Sequence, residues 1–451
     1  MTKAIIRTIL LSLAAAVVTA VSVLFCLSLW NRDGIAPREG WNMVFMLPEN
    51  AALTLAVIFI LLDIVLIVTA VVLLLSAIKL GRIEKTANAA AQKPRFSRLN
   101  ALDRTNVDEL RSKQHDESLT LRAFADGFRE FAAGNMGLYY EPNVIRTYIA
   151  AMAASRLTIL QGISGTGKTS LPYAFGQYVD NPAVITPVQP SWKDRTDLLG
   201  YYNEFTDSYT ETELLYKLYE ANRGNRVYTV VLDEMNIARV EYYFAEFLSL
   251  LELPDKSARR LRVTSDSRTS DPELFSGGTM LLPDNVWFAG TANNDDSTLA
   301  ISDKVYDRAF VIDLNSRCEP FPVSSRPSAA VTAEGLRAMF DRAAEAEPLS
   351  SELRAKFERF DKYISRLGIT FGNRTMKQLE RFVPVFTAAG GNADDAADAV
   401  ICHKILRKLE GLDPSLCRRE AEGLKRELAA VFGAGRLPDS EAYIDRLRGG
   451  V

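Results

Sequence analysis

Two long apolar runs open the chain, and short segments of alternating helical and strand-like pattern follow them. Residues 8–30 carry no charge, and residues 53–78 carry only Asp63. A helix needs about 20 apolar residues to cross a bilayer core, so both runs predict transmembrane helices. Lys3 and Arg7 precede the first run, as in a signal peptide. Against cleavage, the run is long, no small-residue site precedes the connection, and a second run follows. The pattern therefore predicts a two-helix hairpin over 1–80. The connection, 31–52, is mixed in charge, with Trp30 and Trp41 as interfacial anchors. Lys79, Arg82, Lys85, Lys93, Arg95 and Arg98 follow the second run against Glu84 alone. The positive-inside rule then puts both ends in the cytoplasm of a multi-pass inner (plasma) membrane protein.

An ionised carboxylate in mid-span costs about 2.5–3.5 kcal/mol on insertion scales. Asp63 reads as a contact in an oligomeric bundle, or as a neutral carboxyl bonded to a Ser or Thr of the first run. An ion pathway needs more polar groups than two spans supply. Residues 81–118 are polar and read as a juxtamembrane linker, whose basic start either touches anionic lipid heads or only sets topology.

From Leu119 the periods are those of an α/β protein. Leu121, Phe124, Phe128 and Phe131 recur at helical spacing up to Met136, and a second helix covers 142–154. Leu157–Leu160 reads as a buried strand. It runs into Gly162-Ile-Ser164-Gly165-Thr166-Gly167-Lys168-Thr169-Ser170, a G-x-x-x-x-G-K-T loop with a helical stretch after it. Glycines let backbone N–H groups curl around phosphate oxygens, and the helix turns its positive end toward them. Lys168 reaches the β- and γ-phosphates, and Thr169 ligates Mg²⁺. A strand at Ala183–Val188 comes next. Val227–Leu232 is another buried strand, ending in Asp233-Glu234. Asp233 suits the Mg²⁺ shell, and Glu234 suits polarising the attacking water. Val286–Ala289 leads to Gly290-Thr-Ala-Asn293, where Asn293 can orient that water and Asp296 can support it. Arg308 precedes a last strand, Phe310–Leu314. There it can reach a neighbouring subunit's γ-phosphate, with Arg239 as a rival.

Composition narrows the classes. Hydrophobic residues at 48% and charged residues at 24% exclude wholesale disorder. Lys+Arg number 53 against Asp+Glu 56, so the total charge does not mark a strongly basic nucleic-acid binder. Cys26, Cys318, Cys402 and Cys417 lack metal-site spacing and fit a reducing compartment. His115 and His403 are the two histidines; Cys402 and His403 lie among apolar neighbours and read as core.

The P-loop, the Leu232-Asp-Glu-Met-Asn-Ile-Ala-Arg-Val-Glu241 run, Gly290–Asn293 and Ser302–Arg308 together resemble the AAA+ ATPases. Within them the set is most similar to the McrB-like branch, near the dynein- and midasin-related modules, over roughly 140–410. The resemblance implies a parallel sheet flanked by helices over 119–328, and a helical lid with further helices over 329–451. It implies a ring, usually a hexamer, with ATP (GTP as the alternative) and Mg²⁺ between subunits. It assigns Lys168 and Thr169 to Walker A, Asp233 and Glu234 to Walker B, Asn293 to sensor 1 and Arg308 to the arginine finger. Asn293 with Asp296 matches the branch's N-x-x-D signature. Arg374, at the start of a helix through Leu379 and Phe382, is the sensor 2 candidate that would reach the γ-phosphate from the lid.

Two departures stand out. This chain has Tyr306-Asp-Arg308-Ala where McrB proteins often have a string of arginines. It has a membrane hairpin where they have a DNA-reading domain. Residues 253–283, with Arg259, Arg260, Arg262 and Arg268, read as a pore-facing insertion that grips DNA or polypeptide, or as a solvated loop. Trp192 and Tyr201 either contact a substrate or pack. The function expected is a membrane-anchored NTPase ring that remodels or translocates a substrate, with a nuclease-type or effector subunit in defence. A MoxR-like chaperone of membrane complexes and a slow nucleotide switch are the alternatives.

Overall fold

The computed structural model describes residues 17–21, 54, 57–58, 60–72, 75–76, 79, 94–111, 115–293, 298–315 and 317–449. Contacts divide the chain into two units, 1–93 with 268–270, and 94–267 with 271–451. Most of the first apolar run, part of the second, and Asp296 lie outside the described residues. Among the described residues no helix is long and apolar enough to cross a membrane. Within the first unit, 60–72 is one helical stretch whose large aliphatic side chains from Ile60 to Val72, Leu66 excepted, are exposed. Asp63 there accepts a hydrogen bond from the Thr19 hydroxyl at 3.4 Å, the partnering expected of a carboxyl satisfied by the first run.

The second unit is built on a five-stranded parallel sheet. Its strands are β1 (Leu157–Gln161), β2 (Val184–Pro187), β5 (Tyr228–Asp233), β8 (Val286–Ala292) and β9 (Phe310–Asp313), in the order β2-β5-β8-β1-β9. A short hairpin, β3 (Gly200–Asn203) and β4 (Ser208–Glu211), follows β2; a second, β6 (Arg260–Arg262) and β7 (Thr279–Leu281), precedes β8. Every residue of β1 and β8 is buried. That burial explains their unbroken apolar runs, since parallel strands are covered on both faces.

Adjacent residues of β1 serve opposite cores. Leu160 joins Phe124, Phe128, Tyr148 and Phe175 on one face. Ile159 joins Val230, Phe244, Phe247 and Phe288 on the other. The first face is covered by helices α1 (Leu121–Met136), α2 (Pro142–Ala154) and α3 (Ser170–Tyr178). The Thr120 hydroxyl caps α1 by accepting from the Ala123 N–H, and Gly137, at φ 65°, ends it. On the second face lies α4 (Glu213–Arg223).

The C-terminal helices are α5 (Ala333–Ala346), α6 (Ser351–Ile364), α7 (Asn373–Ala388), α8 (Ala393–Val400), α9 (Pro414–Phe432) and α10 (Pro438–Gly449). Their apolar residues belong to the same core as α1 and α2, and Phe382 stacks on Phe310 of β9 with centroids 4.4 Å apart. The helices expected over 329–451 are interrupted after α8. A π-helical turn at Ile401–Ile405 and 3₁₀ turns at Leu406–Gly411 separate α8 from α9.

The 253–283 insertion carries the three-residue strands β6 and β7, paired antiparallel, with loops around them. Trp192 packs edge-on against Tyr243, with ring centroids 5.4 Å apart, whereas Tyr201 is exposed.

Candidate nucleotide site

The strand register aligns three chemically distinct tips. Gln161, the last residue of β1, pairs with Ala292 of β8, and Leu232 of β5 pairs with Gly290. The P-loop, Asp233-Glu234 and Asn293 therefore meet at the carboxyl end of the sheet, where open α/β sheets bind ligands.

The P-loop starts at Gly162, at φ 138°. A Cβ there would lie 2.4 Å from the Leu314 carbonyl oxygen, so only glycine lets the loop leave β1 beside β9. Gly167 is similarly confined, at φ 89° beneath Tyr140, whose hydroxyl donates to the Gly167 carbonyl at 3.1 Å. Between them, the Thr166 hydroxyl donates to the Ile163 carbonyl at 3.0 Å, closing the loop on itself. Lys168 is buried and curls back along the loop, donating to the carbonyls of Gly162 at 2.9 Å and Ile163 at 2.7 Å. Ser170 opens α3, with Thr169 just before it. Ser164 and Gly165 form the crest of the loop between these fixed ends. Arg317, which the sequence did not single out, has its guanidinium 3.0 Å from the position of a Cβ on Gly165.

Asp233 is the hub of the acidic side. Its Oδ1 accepts from the Thr169 hydroxyl at 2.7 Å and from the Thr291 hydroxyl at 2.8 Å. Thr291 in turn accepts from the Glu234 N–H at 2.8 Å. One hydroxyl thus ties the Asp233 carboxylate to the Glu234 backbone; it lies inside β8, which runs on through Ala292 where a loop was expected from Gly290. Glu234 adopts the left-handed conformation, φ 52° and ψ 46°. Non-glycine residues held there cost roughly 1–3 kcal/mol and cluster at functional sites.

Hard oxygen ligands, a hydroxyl beside a carboxylate, are the donor set Mg²⁺ takes when phosphates and waters complete its shell. Thr169 and Asp233 fit that ion, and the glycine-lined loop above α3 fits a phosphate chain. Asn293 is anchored through its backbone carbonyl, which accepts from Asn236 Nδ2 and from the Thr298 hydroxyl, each at 2.9 Å.

Arg308 is not part of this cluster. Its carbonyl accepts from the Ser155 hydroxyl at 2.8 Å, and Ser155 lies just before β1. The arginine therefore stands at the opposite end of a five-residue strand, roughly 16 Å from its own P-loop at about 3.3 Å per residue. Its Nη2 is 2.7 Å from Glu252 Oε2, and its Nη1 donates to the Lys304 carbonyl at 2.7 Å. The rival Arg239 is mostly exposed, 3.9 Å from Glu241.

Arg374 departs from expectation. It pairs with the other oxygen of Glu252, next to Arg308, and so does not reach its own chain's P-loop from the lid. The physical reason is that α7 packs along α2, with Phe382 stacked on Phe310 of β9, and its first turn lines the same cavity as Arg308 at the amino end of the strands. Both arginines line a cavity of about 720 Å³ that also takes in Arg156, Arg337, Lys377 and Arg381. Burial, then the neighbouring Arg337, Arg259 and Arg381, lower the Arg156 pKa to about 10 against the opposing pull of Asp284.

The lid touches the sheet at a buried ionic cluster. Asp313, ending β9, accepts from Arg407 Nη1 at 2.9 Å and lies 3.3 Å from His403 Nδ1. Burial alone would lower the His403 pKa; the adjoining Cys402 sulfur and the Asp313 carboxylate raise it above its ordinary 6.5. A group whose folded pKa is raised stabilises most below its unfolded pKa and loses that contribution as pH climbs. Thermal unfolding should therefore show His403→Gln destabilised at pH 6, with the gap to the parent narrowing by pH 9. A gap that widens toward pH 9 would mean His403 is held neutral. Cys402 and His403 are buried or nearly so, and among the described residues no cluster of metal-ligating side chains forms.

Residues 330–450 match a family described as a domain of unknown function, DUF8727. The type IV methyl-directed restriction enzyme EcoKMcrB subunit of Escherichia coli (strain K12) is 24% identical over 180 residues. The match covers 38% of this chain and 38% of that protein, so the chain spans well under half of the curated relative. A solved structure from Cytophaga hutchinsonii, described as a candidate ATPase, is 13% identical with a TM-score of 0.44, covering 73% of this chain and 96% of that one. The parallel sheet flanked by helices and the McrB similarity support an AAA+-type ATPase core, with nucleotide and Mg²⁺ binding in general.

Proposed function

We propose that the protein is a membrane-anchored AAA+ ATPase that works as a ring, most simply a hexamer, each subunit hydrolysing nucleotide with help from its neighbour. The observation that carries this reading is the separation within one chain. The phosphate loop and both carboxylates sit at the carboxyl end of the sheet, and Arg308 sits at the amino end in a cationic cavity. A finger arginine placed that far from its own loop can serve only another copy's nucleotide. Phosphoryl transfer asks the protein for positioning and charge stabilisation, so a site split between subunits is inactive until it assembles. Lys168 and the loop amides would hold the phosphates, Thr169 and Asp233 the Mg²⁺, and Glu234 with Asn293 the attacking water. The metal would neutralise charge on the β- and γ-phosphate oxygens. ATP is the favoured nucleotide, with GTP the alternative.

Anchoring rests on the two apolar runs and on the exposed aliphatic helix at 60–72, which a lipid bilayer would cover. The cytoplasmic placement of the ATPase rests on the basic residues after the second run. A nuclease-type partner and a DNA substrate rest on the name of the McrB relative, itself a restriction-enzyme subunit. A polypeptide substrate belongs to the chaperone alternative.

Hydrolysis by the full chain in detergent, with ATP and GTP in parallel, tests the proposal. Turnover per subunit should rise with protein concentration until assembly saturates. Turnover per subunit that stays constant on dilution would mean that one chain holds a complete site. Stimulation by duplex DNA would favour the restriction-type role over the chaperone.

A further inference from the structure

Among the described residues Arg308 has no direct bond to the lid of its own chain, yet the lid grips the backbone that carries it. Lys404, in the π-helical turn, is only 5% exposed. Its ammonium donates to three main-chain carbonyls, those of Tyr306 at 3.0 Å, Asp307 at 3.1 Å and Ala309 at 2.6 Å. These oxygens bracket Arg308 on both sides, and they use all three donors of the ammonium. Burial is costly for a lysine and pulls the Lys404 pKa down to about 7. The position faces carbonyls, so an apolar residue there would leave all three without a donor.

The grip continues on either side. Lys408 pairs with Asp307 at 2.9 Å, and the Arg407 guanidinium lies 5.1 Å from the Tyr306 ring centre. The Tyr306 hydroxyl donates to Gln161 Oε1 at 3.2 Å, and Gln161 is the residue before the P-loop. One short segment, 306–309, therefore touches the root of the chain's own phosphate loop, the lid and the finger. The wide π turn followed by 3₁₀ turns brings Lys404, Arg407 and Lys408 onto that segment together.

We propose that Lys404 is the positioning residue for Arg308, fixing from the lid the finger that this subunit offers to its neighbour. Movement of the lid on a subunit's own nucleotide would then be felt at the next site in the ring. This rests on reading Arg308 as a finger acting between subunits, so the experiment separates the two.

Full-length Arg308→Ala subunits keep a hydrolytic site but offer no finger; Glu234→Gln subunits keep the finger but do not hydrolyse. Mixed in detergent, the two should restore turnover that neither has alone. No restoration removes the finger reading and this inference with it. Given restoration, Lys404→Met placed in the Glu234→Gln donor should reduce it about tenfold or more. The same change in the Arg308→Ala recipient should leave it within about twofold. Lys404→Arg in the donor should recover part of the loss. Equal loss in donor and recipient would make Lys404 a merely structural residue, and no loss in the donor would make it idle; either overturns the proposal. If Lys404→Met does not fold, Lys404→Gln, which retains an N–H donor, decides by the same asymmetry.

Discussion

Arg308→Ala should lose turnover by about three orders of magnitude or more while binding nucleotide as tightly as the parent, since finger arginines contribute roughly 10³–10⁵ in kcat. The two halves of this expectation come from different parts of the structure. Binding should survive because the P-loop, Lys168 and the Thr169–Asp233 pair lie a strand's length away. Folding should survive because the Arg308–Glu252 pair is partly exposed and Arg374 remains on Glu252; exposed ion pairs contribute about 0–1 kcal/mol. Titration with a fluorescent ATP analogue, beside steady-state hydrolysis, reads both halves. If affinity falls along with turnover, Arg308 acts on its own chain's nucleotide. If neither changes, Arg239 or Arg374 becomes the finger to test. Arg308→Lys should recover little, because a point charge cannot reproduce a planar fork aimed at phosphate oxygens.

Much of the site was legible because its chemistry is local in sequence. The G-x-x-x-x-G-K-T loop and the strand ending in Asp233-Glu234 each carry their context with them, and the sheet sets their strands on either side of β8. Thr291 was hidden: a threonine inside a buried strand is unremarkable until the register sets it between Asp233 and Glu234. Arg374 misled for the opposite reason. Its place at a helix start was read correctly, but which end of the sheet that helix faces depends on packing against α2 and β9, and no local pattern encodes it. Likewise Lys404 falls within the helices expected over 329–451. Only the π turn aims it at the carbonyls around Arg308.

This difference has a physical root. Phosphate and metal sites are built from a loop and strand ends, where a few residues suffice and their spacing is fixed by backbone geometry. Lid contacts are assembled from helices whose faces are set by the total packing. The ionic group Asp313, His403 and Arg407 draws on β9 and on a segment about 90 residues later. Its members look like unrelated charges until the fold joins them, and burial then requires that they be paired.

Glu234→Gln should hold nucleotide and lose hydrolysis by about 10²–10⁴, the range for removing a positioned general base. The amide keeps the size of the side chain and leaves the N–H to Thr291 intact, so the backbone should not shift. Single-turnover hydrolysis with a binding control separates a lost base from a lost ligand. Near-parental hydrolysis would shift the water-orienting role to Asn293. The left-handed backbone adds a second arm. Glycine adopts φ 52° without the penalty that a Cβ brings, worth roughly 1–2 kcal/mol. Glu234→Gly should therefore melt no lower than the parent, and by that estimate higher, while being as inactive as Glu234→Gln. A residue whose removal stabilises the fold and abolishes hydrolysis is held there for chemistry. If Glu234→Gly instead unfolds at lower temperature, the side chain has a structural task, and the loss of turnover in Glu234→Gln would need the single-turnover assay to be read as chemistry at all.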